Sequence, residues 1–152
     1  MRTSETIAEI AAALVKAQKD IKHPHKNASN PHLRNKFADL QAVIDATRPV
    51  LAKHGIAVVQ FATGSDTNIG ISTRLLHTSG EWIEAEISMP LVERKGLNLE
   101  QAAGCALTYL RRYAWQTAAG VTAEPDDDGN EENATKSGSR VPATPAKEDN
   151  LV

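Results

Sequence analysis

Apolar residues recur at helical spacing in three segments of the chain and alternate at strand spacing in one, and the order of these segments sets the expected fold. Ile7, Ile10, Ala11, Leu14, Val15, Gln18 and Ile21 mark a first amphipathic helix, with Thr6 and Glu9 at capping-box spacing. Phe37, Leu40, Val43, Ile44, Thr47 and Leu51 mark a second over residues 39–53, closed by Gly55; Pro49 inside it predicts a kink or break near Thr47. A third spans residues 101–115, where Ala103, Ala106, Leu107, Leu110, Ala114 and Trp115 share a half-buried stripe. Asn98 and Gln101 form a capping pair at its start and Gly120 a stop.

Between the second and third helices the period changes. Residues 56–62 are apolar on both faces and predict a buried strand. In residues 69–89 both apolar sets, Ile69, Ile71, Thr73 and Leu75, then Ile83, Ala85, Ile87 and Met89, are odd-numbered, so facing residues must sum to an even number. A three-residue loop, Thr78, Ser79 and left-handed Gly80, satisfies this and sets Arg74 opposite Glu84 and Leu76 opposite Trp82. Arg74 is therefore expected in a structural ion pair. The expected fold is α+β: an antiparallel β-hairpin sheet packed on helices, followed by a disordered acidic C-terminal tail.

Charge divides the chain at the same place. Of its 152 residues, the first 120 hold 14 Lys and Arg against 11 Asp and Glu, net +3; the remainder hold 3 against 8, net −5. Residues 1–123 are expected to form one domain, and 124–152 a tail too polar to order itself. Residues 22–36 read as a long basic loop of turn formers with Lys22, Lys26, Arg34 and Lys36. Cys105, the single cysteine, permits no internal disulfide and is expected as a small buried hydrophobe in a reducing compartment. No apolar run is long enough for a membrane span, and the N-terminus lacks a signal-peptide pattern, so no membrane partner is expected.

The third helix carries the candidate chemistry. It holds Arg111 and Arg112 together with Tyr109, Tyr113 and Trp115, and guanidinium groups beside aromatic surface suit an unpaired nucleic-acid strand, whose phosphates need charge and whose bases stack. The same spacing also suits a plain core helix with solvated arginines. Gly104 in the helix interior predicts a close approach of another element. His23, His25 and His32 lack further ligands at metal-site spacing and are expected to titrate in solvent. Glu124, Asp126, Asp128, Gly129 and Asn130 fail as a calcium loop at both ends, Lys136-Ser137 lacks the glycine of a P-loop, and no nucleophile spacing is evident. A metal-dependent nuclease would have to recruit Asp39, Asp45, Glu84, Glu86 or the tail; it is the alternative reading, beside a plain partner-binding domain.

Residues 30–40 (NPHLRNKFADL), Arg48-Pro49, residues 51–60 (LAKHGIAVVQ), 76–82 (LHTSGEW), 101–113 and 126–130 (DDDGN) resemble, in order, the blocks of the ERF (essential recombination function) family of phage single-strand annealing proteins. The sequence departs from the usual pattern at His32-Leu33, at Phe37 for Tyr and at Cys105 for a small residue. The resemblance implies no enzyme but ATP-independent binding of single-stranded DNA and annealing of complementary strands in homologous recombination. The setting implied is the cytoplasm of a bacterial host. It further implies a homo-oligomer, ring or filament, with a host single-strand binding protein or a phage exonuclease as partner, and no required cofactor, magnesium being compatible. The DNA-binding set expected on this basis is Arg111, Arg112 and Lys36 foremost, then Arg34, Arg48, Lys53, Arg94 and Lys95 for phosphate, with Tyr109 and Tyr113 for bases. Of the two helix arginines, Arg112 is expected to face the groove and Arg111 to pack on Trp115 or a neighbouring subunit.

Overall fold

The computed structural model describes residues 1–30, 35–92 and 96–122. In chain order these form β1 (Arg2–Thr3), α1 (Ala8–Asp20), β2 (Ala28–Asn30), β3 (Asn35–Phe37), α2 (Leu40–Lys53), β4 (Ile56–Gly64), β5 (Asn68–His77), β6 (Trp82–Pro90) and α3 (Leu99–Ala119). The α+β class expected above is what forms. The acidic segment 124–152 lies outside the described residues.

The parity of the apolar residues sets the register of the hairpin. β5 and β6 pair with Arg74 opposite Glu84 and Leu76 opposite Trp82, and Gly80 closes the three-residue loop at φ 90°. A left-handed residue at that point lets the turn follow the right-handed twist of its strands. β4 adds antiparallel to β5 and β1 to β6, giving a four-stranded sheet in the order β1-β6-β5-β4.

All three helices build the core on one side of this sheet or behind one another. Ile10, Ala13 and Ala17 of α1 meet Leu51, Ile56 and Leu75. Ala106, Leu110 and Ala114 of α3 meet Ile69 and Ile71. Val43 and Ile44 of α2 meet Trp115 and Ala119 of α3. A polar link fixes the α2–α3 crossing: the Trp115 indole N–H donates to Thr47 Oγ1 at 2.9 Å, and that hydroxyl donates to the Val43 carbonyl at 2.7 Å. Thr47 is fully buried, so both of its polar partners come from the protein.

Several expectations are corrected. Thr6 and Glu9 form no capping box; Thr6 donates instead to Glu81, 75 residues away, and the same carboxylate accepts the Ile10 N–H at 2.8 Å. Those bonds, led by the Ile10 amide, hold the Glu81 carboxyl below its ordinary range against the opposing effect of burial, as expected of an anion at a helix N-terminus. The buried stripe of α1 runs through Ile10, Ala13 and Ala17, leaving Val15 exposed. Pro49 does not break α2, whose helix continues through it to Lys53. The basic loop contains the two-stranded β2–β3 hairpin. β4 is not buried on both faces: it ends the sheet, and Phe61 is 51% exposed.

The opposite face of the sheet carries an ionic cluster. Arg74 and Arg2 both pair with Glu84, whose side chain is buried, and the Arg74 guanidinium lies 4.5 Å from the centre of the Trp82 ring. Burial opposes the Glu84 charge, but the Arg74 and Arg2 hydrogen bonds outweigh it and keep the carboxyl below its ordinary range. The structural role expected for Arg74 is therefore the observed one. Among the described residues, no helix is long and apolar enough to cross a membrane.

Candidate nucleic-acid interface

The N-cap of α3 forms as its sequence requires: Asn98 accepts the Gln101 amide, and the Gln101 side chain accepts the Asn98 amide. This sets the helix phase. With Ala102, Ala106, Leu110 and Ala114 turned to the sheet, Gln101, Gly104, Cys105, Thr108, Tyr109 and Arg112 fall on the other side, three and four residues apart. They face Phe37, Asp39 and Leu40, at the junction of β3 and α2, across an open groove of about 700 Å³ with Leu97 also in its wall.

Arg112 is the centre of this groove. Its guanidinium carbon lies 4.5 Å from the Phe37 ring centre, 5.1 Å from that of Tyr113 and 5.9 Å from that of Tyr109. The two tyrosine rings are themselves 4.3 Å apart and tilted by 42°. Contacts of this kind favour a cation over an aromatic face and hold a flexible side chain in place. Tyr109 remains 49% exposed, so a ring face is available beside the charge. Asp39 is already committed, accepting the Ala42 amide as the N-cap of α2.

The residues singled out by sequence divide accordingly. Arg112, Tyr109 and Tyr113 come together, and Lys36 is exposed on β3 next to Phe37 in sequence. Arg111 is exposed, and its carbonyl accepts a bond from the Gln60 side chain. The expected division between the two arginines is thus altered: Arg112 both faces the groove and packs on rings, and it is Arg48 of α2 that lies over Trp115, at 5.5 Å. Lys53 pairs with Asp20 at the far end of α2, about 20 Å along the helix from Leu40 at 1.5 Å per residue. Arg34, Arg94, Lys95 and His32 lie outside the described residues. His23 is exposed and its Nδ1 accepts the Thr122 amide.

Two expectations about this face are overturned. Gly104 is no close-approach point, because a Cβ there would meet nothing within 4 Å. Cys105 is exposed in the groove rather than buried. The sequence reading also missed Phe37 as the partner of Arg112, and Leu97 and Gln101 as wall residues. The ladder Gln101, Gly104 or Cys105, Thr108 and Arg112 is visible in the sequence as the face opposite the alanines, but the hairpin that completes the groove leaves no comparable signal.

Of the carboxylates a nuclease would recruit, those among the described residues are otherwise engaged: besides Asp39, Asp45 accepts from Gln41, Glu84 from Arg2 and Arg74, and Glu86 from Thr63; those of the tail lie outside the described residues. Among the described residues, no three of His, Cys, Asp and Glu stand where they could hold one metal ion.

No curated protein and no solved structure matches the chain. The model of the ERF superfamily matches residues 10–151, a span that begins within α1 and contains the β5–β6 hairpin and α3. That match covers nearly the whole chain, and with it the chain belongs to the ERF superfamily, whose role is of the phage recombination and annealing type.

Proposed function

We propose that this protein binds single-stranded DNA along the groove between the β2–β3 hairpin and α3, and anneals complementary strands without ATP. The observation that carries this reading is Arg112, held over Phe37 and beside the half-exposed Tyr109 in an open groove. Its guanidinium attracts phosphate, and the adjoining ring faces accept bases irrespective of their identity. Lys36 and Arg111, both exposed, stand next to Phe37 and Arg112 in sequence and add positive charge beside them. Sequence-blind binding is what annealing demands, because the protein has to hold any strand while base pairing chooses the partner. No nucleotide hydrolysis enters this scheme, nor does a metal. The bacterial host cytoplasm, and a host single-strand binding protein or a phage exonuclease as partner, belong to the same reading.

Mixing labelled complementary oligonucleotides with the protein, without ATP, tests it. Duplex formation is expected to run faster than in buffer, with affinity for the single strand falling as salt rises. A rate equal to that in buffer, with no single-strand binding at low salt, would overturn the proposal.

A further inference from the structure

A second concavity, of about 400 Å³, lies where α2 runs into β4 and β5 enters its turn, at the end of α2 remote from the groove. It shares no lining residue with the groove. Its wall is rich in cations and hydrogen-bond donors: Lys16 from α1, Lys53 and His54 from the end of α2, and His77 and Thr78 from the start of the turn. Glu9 is the carboxylate among them.

Backbone geometry brings the donors together. Gly55 takes the chain out of α2 at φ 74°, and the Thr78 amide donates to its carbonyl at 3.0 Å, so the turn closes down on the glycine. A Cβ at this position would stand 2.9 Å from Thr78 Oγ1 and 3.4 Å from His77 Nε2. The hydroxyl and the ring nitrogen thus converge over a backbone that only glycine leaves bare. The ring is also oriented. Ser79 N donates to His77 Nδ1 at 3.3 Å, which puts the proton of the neutral imidazole on Nε2 and makes that atom a donor. At the end of α1, Asp20 Oδ2 lies 2.9 Å from both Lys53 Nζ and His54 Nε2. That carboxylate fixes both side chains, and the Lys53 ammonium keeps further N–H groups to offer. Lys16 forms no ion pair with a described residue.

We propose that this concavity binds the phosphate dianion, free or as a terminal monoester, with Thr78 Oγ1 and His77 Nε2 donating to its oxygens and Lys16 and Lys53 balancing its charge. A phosphate monoester presents three acceptor oxygens and about two negative charges at neutral pH, which matches donors that converge from separate elements. A phosphodiester inside a strand carries less charge and continues on both sides, which suits the open groove instead. The site is independent of strand binding in the groove, and its test begins without DNA.

Inorganic phosphate titrated into the isotope-labelled protein, with sodium chloride at matched ionic strength as reference, should shift the Gly55, His77 and Thr78 amide resonances saturably. Lys16→Gln should weaken this binding about tenfold, as expected for one hydrogen bond to a charged group, and Thr78→Val should weaken it severalfold. Lys19→Gln, on the same helix but outside the wall, should leave it unchanged, and Glu9→Gln should tighten it. Equal shifts in chloride, shifts that do not saturate, or equal effects of Lys16→Gln and Lys19→Gln would overturn the proposal. A short oligonucleotide phosphorylated at one end, compared with the same strand unphosphorylated, separates the sources. Shifts at these amides with the phosphorylated strand alone assign the site to strand ends, and shifts with neither assign it to phosphate outside a strand. Equal shifts with both would overturn the assignment to a terminal or free phosphate.

Discussion

On one side of α3, Ala102, Ala106, Leu110 and Ala114 are buried, most of them against strands β5 and β6; on the other, Gly104, Cys105, Thr108 and Tyr109 are exposed along a groove. Both sides are rich in small residues, for opposite reasons. Alanines on the sheet side let the helix axis approach the strands, and Leu110 fills the space they leave. Glycine, cysteine and threonine on the groove side keep a channel clear in front of Arg112. Residue size alone does not distinguish a surface that is packed from one that is kept open; the helical phase does, because Ala102, Ala106, Leu110 and Ala114 repeat in steps of four.

The comparison predicts that substitutions on the two sides separate stability from binding. Leu110→Ala should have the largest effect, a loss of about 2–5 kcal/mol in denaturant unfolding from lost burial and the cavity left behind. Arg112→Ala comes next and acts mainly on binding: affinity should fall for all sequences alike, and the plot of log affinity against log salt should flatten by about one unit. Arg111→Ala, on an exposed side chain, should weaken binding less and leave the melt unchanged; the reverse ranking would place the DNA path elsewhere on the helix.

Gly104 sharpens the contrast. With open space at its Cβ and no positive φ, Gly104→Ala should raise stability by about 1 kcal/mol. Gly104→Leu should fold normally yet weaken single-strand binding by filling the groove. A lowered melt for the alanine variant would return the position to the packed side. The smallest effect concerns acid. Hydrogen bonds from Lys53, then His54, depress the Asp20 carboxyl to about 2, below its unfolded value. The stability it contributes is present above that unfolded value and is lost as pH falls toward 2. Asp20→Asn should therefore flatten the acid arm of the stability profile, with single-strand binding at neutral pH unchanged.

The β5–β6 register was legible because parity is an all-or-none property: a slip of one residue would set Ile71 and Leu75 on the wrong face. The Asn98–Gln101 cap and the Gly120 stop were legible because they are local. What escaped depended on distance in sequence. Thr6 found Glu81 rather than Glu9, and Phe37 found Arg112 across 75 positions. The three-residue strands β2 and β3 are too short to show a period. β4 read as buried because residues 56–62 are apolar but for Gln60; nothing in that composition says that the sheet ends there. The arginine-rich face was visible as chemistry, whereas the groove that organises it is a tertiary product of the hairpin and helix together.

Cys105 gives direct access to the central claim, since it is the single cysteine of the chain and lies exposed in the groove wall beside Gly104 and Thr108. The rate of its alkylation by a small maleimide can be followed with and without a saturating single-stranded oligonucleotide. A strand seated between Phe37 and α3 should slow the reaction severalfold, and Arg112→Ala should need more oligonucleotide for the same protection. A Cys105 that reacts at the same rate with the strand fully bound would contradict the assignment of this groove.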